Sequence, residues 1–126
     1  MILFKESSKS IGTKGEKIAA LFLKKHGYKI IKKNFLSAHG EIDIIAQNKN
    51  FLVFVEVKSR KDSEENFKNY GLPREAVGKN KQKHIIYTAR CFIQRYPTDK
   101  AMRFDVIEVY LGKNTRVNHI EDAFNL

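Results

Sequence analysis

Apolar positions along this chain change their period several times, and each change marks an element. Ile18, Ala19, Phe22 and Leu23 recur at helical spacing, Thr13 and Glu16 have the spacing of a capping box, and Gly27 is a helix stop. These predict a first helix from about Thr13 to His26. Tyr28 to Lys33 carries β-formers sufficient for a short strand. Glu41 to Gln47 and Phe51 to Ser59 are strongly apolar runs separated by Asn48, Lys49 and Asn50, which predicts a hairpin. Lys61 to Arg74 is charged, contains Gly71 and Pro73 and has no hydrophobic period, so it reads as a mobile loop; residues 1–10, polar from Ser7 to Ser10, read as flexible. Val77, Ile85, Ala89, Phe92, Ile93 and Tyr96 restore a helical period from about Glu75 to Arg95, ended by Pro97. Arg103 to Leu111 is apolar on both faces, as in a strand covered on two sides, and Thr115 to Ile120 is a final short strand. That element order predicts a single α/β domain over 1–126, a mixed β-sheet flanked by α-helices.

The hairpin carries charge where apolar residues are expected. With a two-residue turn at Lys49-Asn50, Asn48 pairs with Phe51, and the same register sets Asp43 opposite Glu56 and Glu41 opposite Lys58. Strand alternation then gathers Glu41, Asp43, Glu56 and Lys58 on one face and Ile42, Ile44, Val55 and Val57 on the other. Opposed carboxylates in a largely apolar sheet repel, and a divalent cation removes that cost. Magnesium suits an all-oxygen ligand set completed by water and phosphate oxygens, whereas His26, His39, His84 and His119 are scattered without the spacing that zinc requires. Beside a metal, the Lys58 ammonium is placed to stabilise charge developing on a phosphate; in the structural alternative it only pairs with Glu41 across the strands. Cys91, on the apolar stripe of the second helix, is expected in the core.

Composition narrows the partners. The 126 residues carry 24 Lys+Arg against 14 Asp+Glu, a formal charge of +10 that attracts polyanions, nucleic acid foremost. One cysteine excludes an internal disulfide, and the absence of a secretory signal pattern points to the cytoplasm. No apolar run approaches the roughly 20 residues needed to cross a bilayer, so no membrane partner is expected. Arg60, Lys61, Lys79, Lys81 and Gln82 flank the hairpin cluster as candidate nucleic-acid contacts, with Lys81 on the inward stripe of its helix, where a lysine needs an anion. No helix-turn-helix, zinc finger or aromatic stacking motif appears, which argues against base-specific reading.

Asp43, followed after a hairpin by Glu56-Val57-Lys58, resembles the PD-(D/E)xK motif of the restriction-endonuclease-like superfamily, with the usual proline missing and Ile42 before the aspartate. Gly15-Glu16, Gly27-Tyr28, Asn34, the segment Gly40 to Ala46, the segment Phe54 to Arg60, Lys81, and Arg103-Phe104-Asp105-Val106 extend the likeness to the YraN-type family of predicted endonucleases, over roughly residues 12 to 110. The hairpin is also similar to that of archaeal Holliday-junction resolvases. This resemblance implies a restriction-endonuclease-like core in which Asp43 and Glu56 hold Mg2+, with Mn2+ able to substitute, and Lys58 is the catalytic lysine. It further implies Glu16 as an additional acidic residue, against the capping-box reading of the same side chain, and Glu41 as an aid to the metal or a partner for Lys58. The implied function is metal-dependent endonucleolytic hydrolysis of nucleic acid, with DNA, branched or damaged, as the expected substrate, and a homodimer by analogy with the resolvases. The alternatives are a nucleic-acid-binding module with little or no catalysis and a small interaction protein in which the acidic cluster is structural.

Overall fold

In a computed structural model, which describes residues 8–61 and 77–125, five strands form one sheet in the order β1-β2-β3-β4-β5. The elements are α1 (Ser8–Lys25), β1 (Lys29–Ser37), β2 (Gly40–Gln47), β3 (Phe51–Lys61), α2 (Lys79–Arg95), β4 (Ala101–Leu111) and β5 (Arg116–Phe124). Only β3 and β4 run parallel, joined through α2; the other neighbours are antiparallel, so the sheet is mixed and the fold α/β, consistent with a restriction-endonuclease-like core.

The helices cover opposite faces of the sheet. Ala19, Ala20 and Leu23 of α1 pack with Ile44, Ala46, Val53, Val55, Ile107 and Val109. Ile85, Ala89 and Phe92 of α2 pack with Ile42, Ile45, Leu52, Phe54, Phe104 and Val106, and Cys91 lies partly buried against this second cluster. Each of these Val, Leu, Ile and Phe side chains contributes about 1.5–3 kcal/mol by leaving water. Both faces of β4 are covered, and Arg103 to Tyr110 are all buried, as the doubly apolar pattern predicts.

Several boundaries differ from the sequence expectation. The first helix includes Ser8 to Gly12, ahead of the expected start, because Ile11 stands one full heptad before Ile18 on the same stripe. Thr13 is therefore inside the helix and the capping-box reading of Thr13 and Glu16 is wrong; of the residues expected to be flexible, Ser8 to Ser10 are helical and 1–7 lie outside the described residues. Lys61 ends β3 instead of opening a loop, and residues 62–74 lie outside the described residues. The second helix starts only after Gly78, whose extended backbone (φ −66°, ψ 158°) caps it, while Gln82 donates its side-chain amide to the Val77 carbonyl at 2.7 Å. β1 runs on past Lys33 to Ser37 because it completes a second hairpin with β2, and β5 extends to Phe124.

Candidate functional site

The expected turn is present: the Asn48 amide donates to the Phe51 carbonyl at 3.1 Å, and the Asn48 carboxamide oxygen accepts from the Asn50 and Phe51 amides at 2.9 and 2.8 Å. Register then follows as predicted from Gln47–Leu52 to Ile44–Val55, where the β2–β3 ladder ends. Neither Asp43–Glu56 nor Glu41–Lys58 is a ladder pair; that expectation is corrected by the parting of the two strands. Asp43 turns its carboxylate into the opening, where Oδ2 accepts the Val57 amide at 2.8 Å. A side chain thus replaces the strand's backbone as acceptor, and a crevice opens beside it.

The parting has a cause in β1. Between the pairs Lys33–Ile44 and Phe35–Ile42, Asn34 faces Asp43 by register with φ 53°, a left-handed conformation that asparagine tolerates better than most residues. Across this point alternation fails: Ile42 packs beneath α2, whereas Ile44 packs beneath α1. The expected common face for Ile42 and Ile44 is therefore incorrect. A kink at Asn34 and Asp43 re-aims β2, much as a bulge does.

Four carboxylates meet at the opening, one of them from α1. Gly15 lets the helix lie close to β3, since a Cβ there would stand 1.7 Å from Ser59 Oγ and 2.9 Å from Ser59 Cβ. The next residue, Glu16, then reaches the crevice and is hydrogen-bonded by the Asn34 side chain. Glu16, Glu41 and Asp43 each bring a carboxylate oxygen within 4.8 Å of the others. Glu56 faces the same cavity of about 370 Å³, which Asp43, Glu16, Ser59 and Lys61 also line. A second cavity of about 300 Å³, on the α2 side of Asp43, is lined by Glu41, Lys81 and His84.

Cations answer the acids unequally. Lys81 Nζ lies 3.1 Å from Glu56 Oε1 and Lys58 Nζ lies 3.8 Å from the same oxygen, on a carboxylate that is only 6% exposed. Lys81 has thus found an anion, as its place on the helix requires, but that anion is the protein's own, and its side chain is 52% exposed. Lys58 pairs with Glu56 on its own strand and not with Glu41. Burial, then the charge of Glu56, pushes the Asp43 carboxyl up to about 7; Glu16 and Glu41 add to this, and the Val57 amide opposes it. Glu16 is also raised, first by burial, with the Asn34 hydrogen bond and Lys33 working against Glu41 and Glu56. Both ammonium groups at ion-pair distance stand at Glu56 Oε1, while Glu16, Glu41 and Asp43 lie within reach of one another, an acidic grouping that a divalent ion would balance. The donors are all oxygens, which fits a hard cation such as Mg2+ or Mn2+.

The remaining residues expected at the site are divided. Lys61 lines the crevice, and Lys79 is exposed at the start of α2. Gln82 is occupied with Val77, and Arg60 Nε is 3.1 Å from Glu108 Oε2, a fully buried carboxylate that also accepts from Asn118 Nδ2 at 3.1 Å. Arg60 therefore balances a core charge. Sequence reasoning gave Asn34 no role; its signal was an asparagine inside a strand, a residue type that favours turns and left-handed backbone. It also missed a buried network on the α1 face. Arg103 donates from Nε and Nη2 to Asp105 at 2.9 and 2.8 Å and from Nη2 to the Tyr28 hydroxyl, while His119 Nε2 and the Asp122 amide add bonds of 2.7 and 3.0 Å to Asp105. Burial pushes the Asp105 carboxyl up, but hydrogen bonds from His119, Arg103 and Asp122 outweigh it and hold the group below the usual carboxylate range.

Fold and site together define an α/β protein with an acidic crevice where two strands of a mixed sheet part, and no described helix is long and apolar enough to cross a membrane. Residues 15–109, which include every crevice residue named above, match the profile of the uncharacterised protein family UPF0102, and the chain belongs to that family. A UPF0102 protein of Caldanaerobacter subterraneus subsp. tengcongensis is 47% identical over 125 residues, spanning 95% of this chain and 98% of the relative. One from Clostridium beijerinckii is 46% identical over 97% and 98% of the two chains, and one from Chloroherpeton thalassium is 41% identical over 91% and 93%.

Proposed function

We propose that the crevice is the active site of a divalent-metal-dependent endonuclease that hydrolyses phosphodiester bonds of nucleic acid, with DNA as the expected substrate. The observation that carries this reading is the convergence of Glu16, Glu41, Asp43 and Glu56 at the parted strands, where burial and then the charge of Glu56 push Asp43 up to about 7, inside a chain of formal charge +10. A fold that only needed stability gains nothing by opposing carboxylates there, because unpaired buried charge costs several kcal/mol.

Asp43 and Glu56, with Glu16 and Glu41 beside them, are the residues that would hold the ion. When bound, a divalent cation supplies a Lewis acid for the phosphate and lowers the pKa of a coordinated water. The chain does the rest. Lys58, held near Glu56, faces charge developing on the phosphoryl oxygens and stabilises it. Asn34 holds the Glu16 carboxylate, and the Val57 amide holds Asp43, so two of the acids are oriented before any ligand arrives. In the net reaction a water oxygen joins phosphorus, the bond from phosphorus to the leaving sugar oxygen breaks, and that oxygen takes up a proton.

A second reading, a nucleic-acid-binding module without catalysis, is favoured by the 3.1 Å pair between Lys81 and Glu56, which satisfies one of the two proposed ligands without a metal. Purified protein incubated with Mg2+ or Mn2+ and single-stranded, duplex, flap and four-way-junction DNA and RNA separates the two. Metal-dependent products that vanish in Asp43→Asn and Lys58→Ala support the nuclease. Binding without products supports the module, and products that persist in both variants refute the assignment of the crevice.

A further inference from the structure

Beside the acidic crevice, and continuous with it through Ile11 and Lys61, lies a larger cavity of about 690 Å³ lined by Ile11, Lys14, Lys17, Ile18, Lys61 and Leu111. Its chemistry differs from that of the crevice, where carboxylates dominate. Ile11, Ile18 and Leu111 give it an aliphatic floor, and three lysines, all exposed, stand around that floor. Ile11, Lys14 and Ile18 follow one face of α1 at helical spacing, with Lys17 next to them, so the helix that delivers Glu16 to the crevice also builds this wall.

We propose that this pocket seats an unpaired nucleotide of the nucleic-acid strand whose phosphodiester lies in the crevice. The inference rests on the nuclease reading of that crevice and adds which flank holds the strand and in what form. A nucleotide joins an apolar base and sugar to an anionic phosphate, which matches an aliphatic floor ringed by ammonium groups. In a duplex the base faces are stacked away and only groove edges and backbone are offered, so the floor would have no partner. Single strands present base faces. The ring consists of lysines and Thr115, whose hydroxyl is turned to the Gly112 carbonyl, without amides or forked guanidinium groups, so base edges meet little that could read them and binding depends weakly on sequence. Charge sets the polarity of the arrangement: phosphates are drawn to Lys14, Lys17 and Lys61 and repelled from Glu16 and Glu56 unless the crevice holds a cation.

The test compares Lys14→Gln/Lys17→Gln with Lys24→Gln/Lys25→Gln, which removes the same charge from the far end of the same helix. Fluorescence anisotropy in EDTA, over a range of salt, reads binding to a single-stranded oligothymidylate, a blunt duplex and a duplex with a single-stranded tail. Lys14→Gln/Lys17→Gln is expected to weaken the single strand and the tailed duplex by roughly tenfold and to lower the salt slope by about 1.4, while the blunt duplex changes little. Lys24→Gln/Lys25→Gln should leave all three unchanged. Equal losses in the two double variants, or an equal loss on the blunt duplex, overturn the pocket, since a diffuse positive field then explains the binding. The same substrates with Mg2+ separate this inference from the one beneath it. Cleavage by the parent with no selective loss in Lys14→Gln/Lys17→Gln overturns the pocket alone. Selective loss without cleavage by the parent keeps the pocket and removes the nuclease. Exposed lysines on a helix tolerate glutamine, and circular dichroism melts verify that both double variants fold.

Discussion

Asp43→Asn should make the metal-free protein more stable at alkaline pH while abolishing its response to metal. In the folded chain the Asp43 carboxyl is pushed from 3.8 to about 7. An acid with a raised folded pKa loses its proton first in the unfolded chain, so the unfolded state binds fewer protons between those values and stability falls as pH rises through them. Below about pH 4 the group contributes no penalty; above about pH 7 the penalty is complete. A difference of about 3 pH units corresponds to about 4 kcal/mol at ~1.4 kcal/mol per unit. Asparagine keeps a carbonyl for the Val57 amide and removes the charge, so at pH 8 in chelator the variant should gain up to that amount, roughly 15 °C in Tm for a chain of this size. At pH 4 the gain should disappear. Saturating Mn2+ should close the gap: at about 1,000 times its Kd the parent gains about 4.1 kcal/mol, and the variant gains little. Thermal melts by circular dichroism at both pH values, with and without Mn2+, give all four comparisons. If the variant is less stable than the parent at pH 8 without metal, neither burial nor like charge penalises the Asp43 carboxylate, and the case for a cation in the crevice fails.

Other substitutions separate the parts of the site. Gly15→Ala places a methyl group against Ser59 and should cost roughly 1–3 kcal/mol and weaken Mn2+ binding, and Ser59→Gly in the same chain should restore both, read by melts and calorimetric titration. Asn34→Gly keeps the left-handed backbone but removes the amide that holds Glu16; Mn2+ affinity should fall about 10- to 100-fold with the fold intact, whereas Asn34→Val should lose stability as well. Lys81→Met leaves Glu56 without its closer cation, so the metal-free protein should lose about 1–3 kcal/mol, and Mn2+ should restore more stability to it than to the parent. Asp105→Asn breaks the paired bonds from Arg103 and the contact with His119, and should cost about 3–5 kcal/mol without changing the Mn2+ affinity of whatever remains folded.

The contrast between the two hairpin strands explains what a single sequence can and cannot disclose. Turn chemistry and burial are local. Asn48 to Phe51 therefore sets a register that holds as far as Ile44 and Val55, and the doubly apolar run at β4 places that strand in the interior of the sheet. Alternation alone carried the same register onward to Asp43 and Glu56, and there it failed. The ladder ends where the Asp43 carboxylate takes the Val57 amide and where Asn34, on a third strand, opposes Asp43 in the β1–β2 pairing with a left-handed backbone. No periodic rule contains that three-strand relation. The same limit applies to the cations. Lys81, Arg60 and Lys58 all read from the sequence as groups available to a phosphate, yet Lys81 and Lys58 stand against Glu56, and Arg60 stands against Glu108, a fully buried carboxylate on β4. A basic side chain's availability depends on which acid burial has left in need, and that is decided by tertiary contact. Glu16 shows the converse: its spacing from Thr13 suggested a cap, but one glycine before it allows the helix to approach β3 and turns the side chain from the helix end toward the crevice. The acids gather here because two strands separate, and the separation requires a conformation that asparagine can hold and a β-branched residue cannot hold without strain.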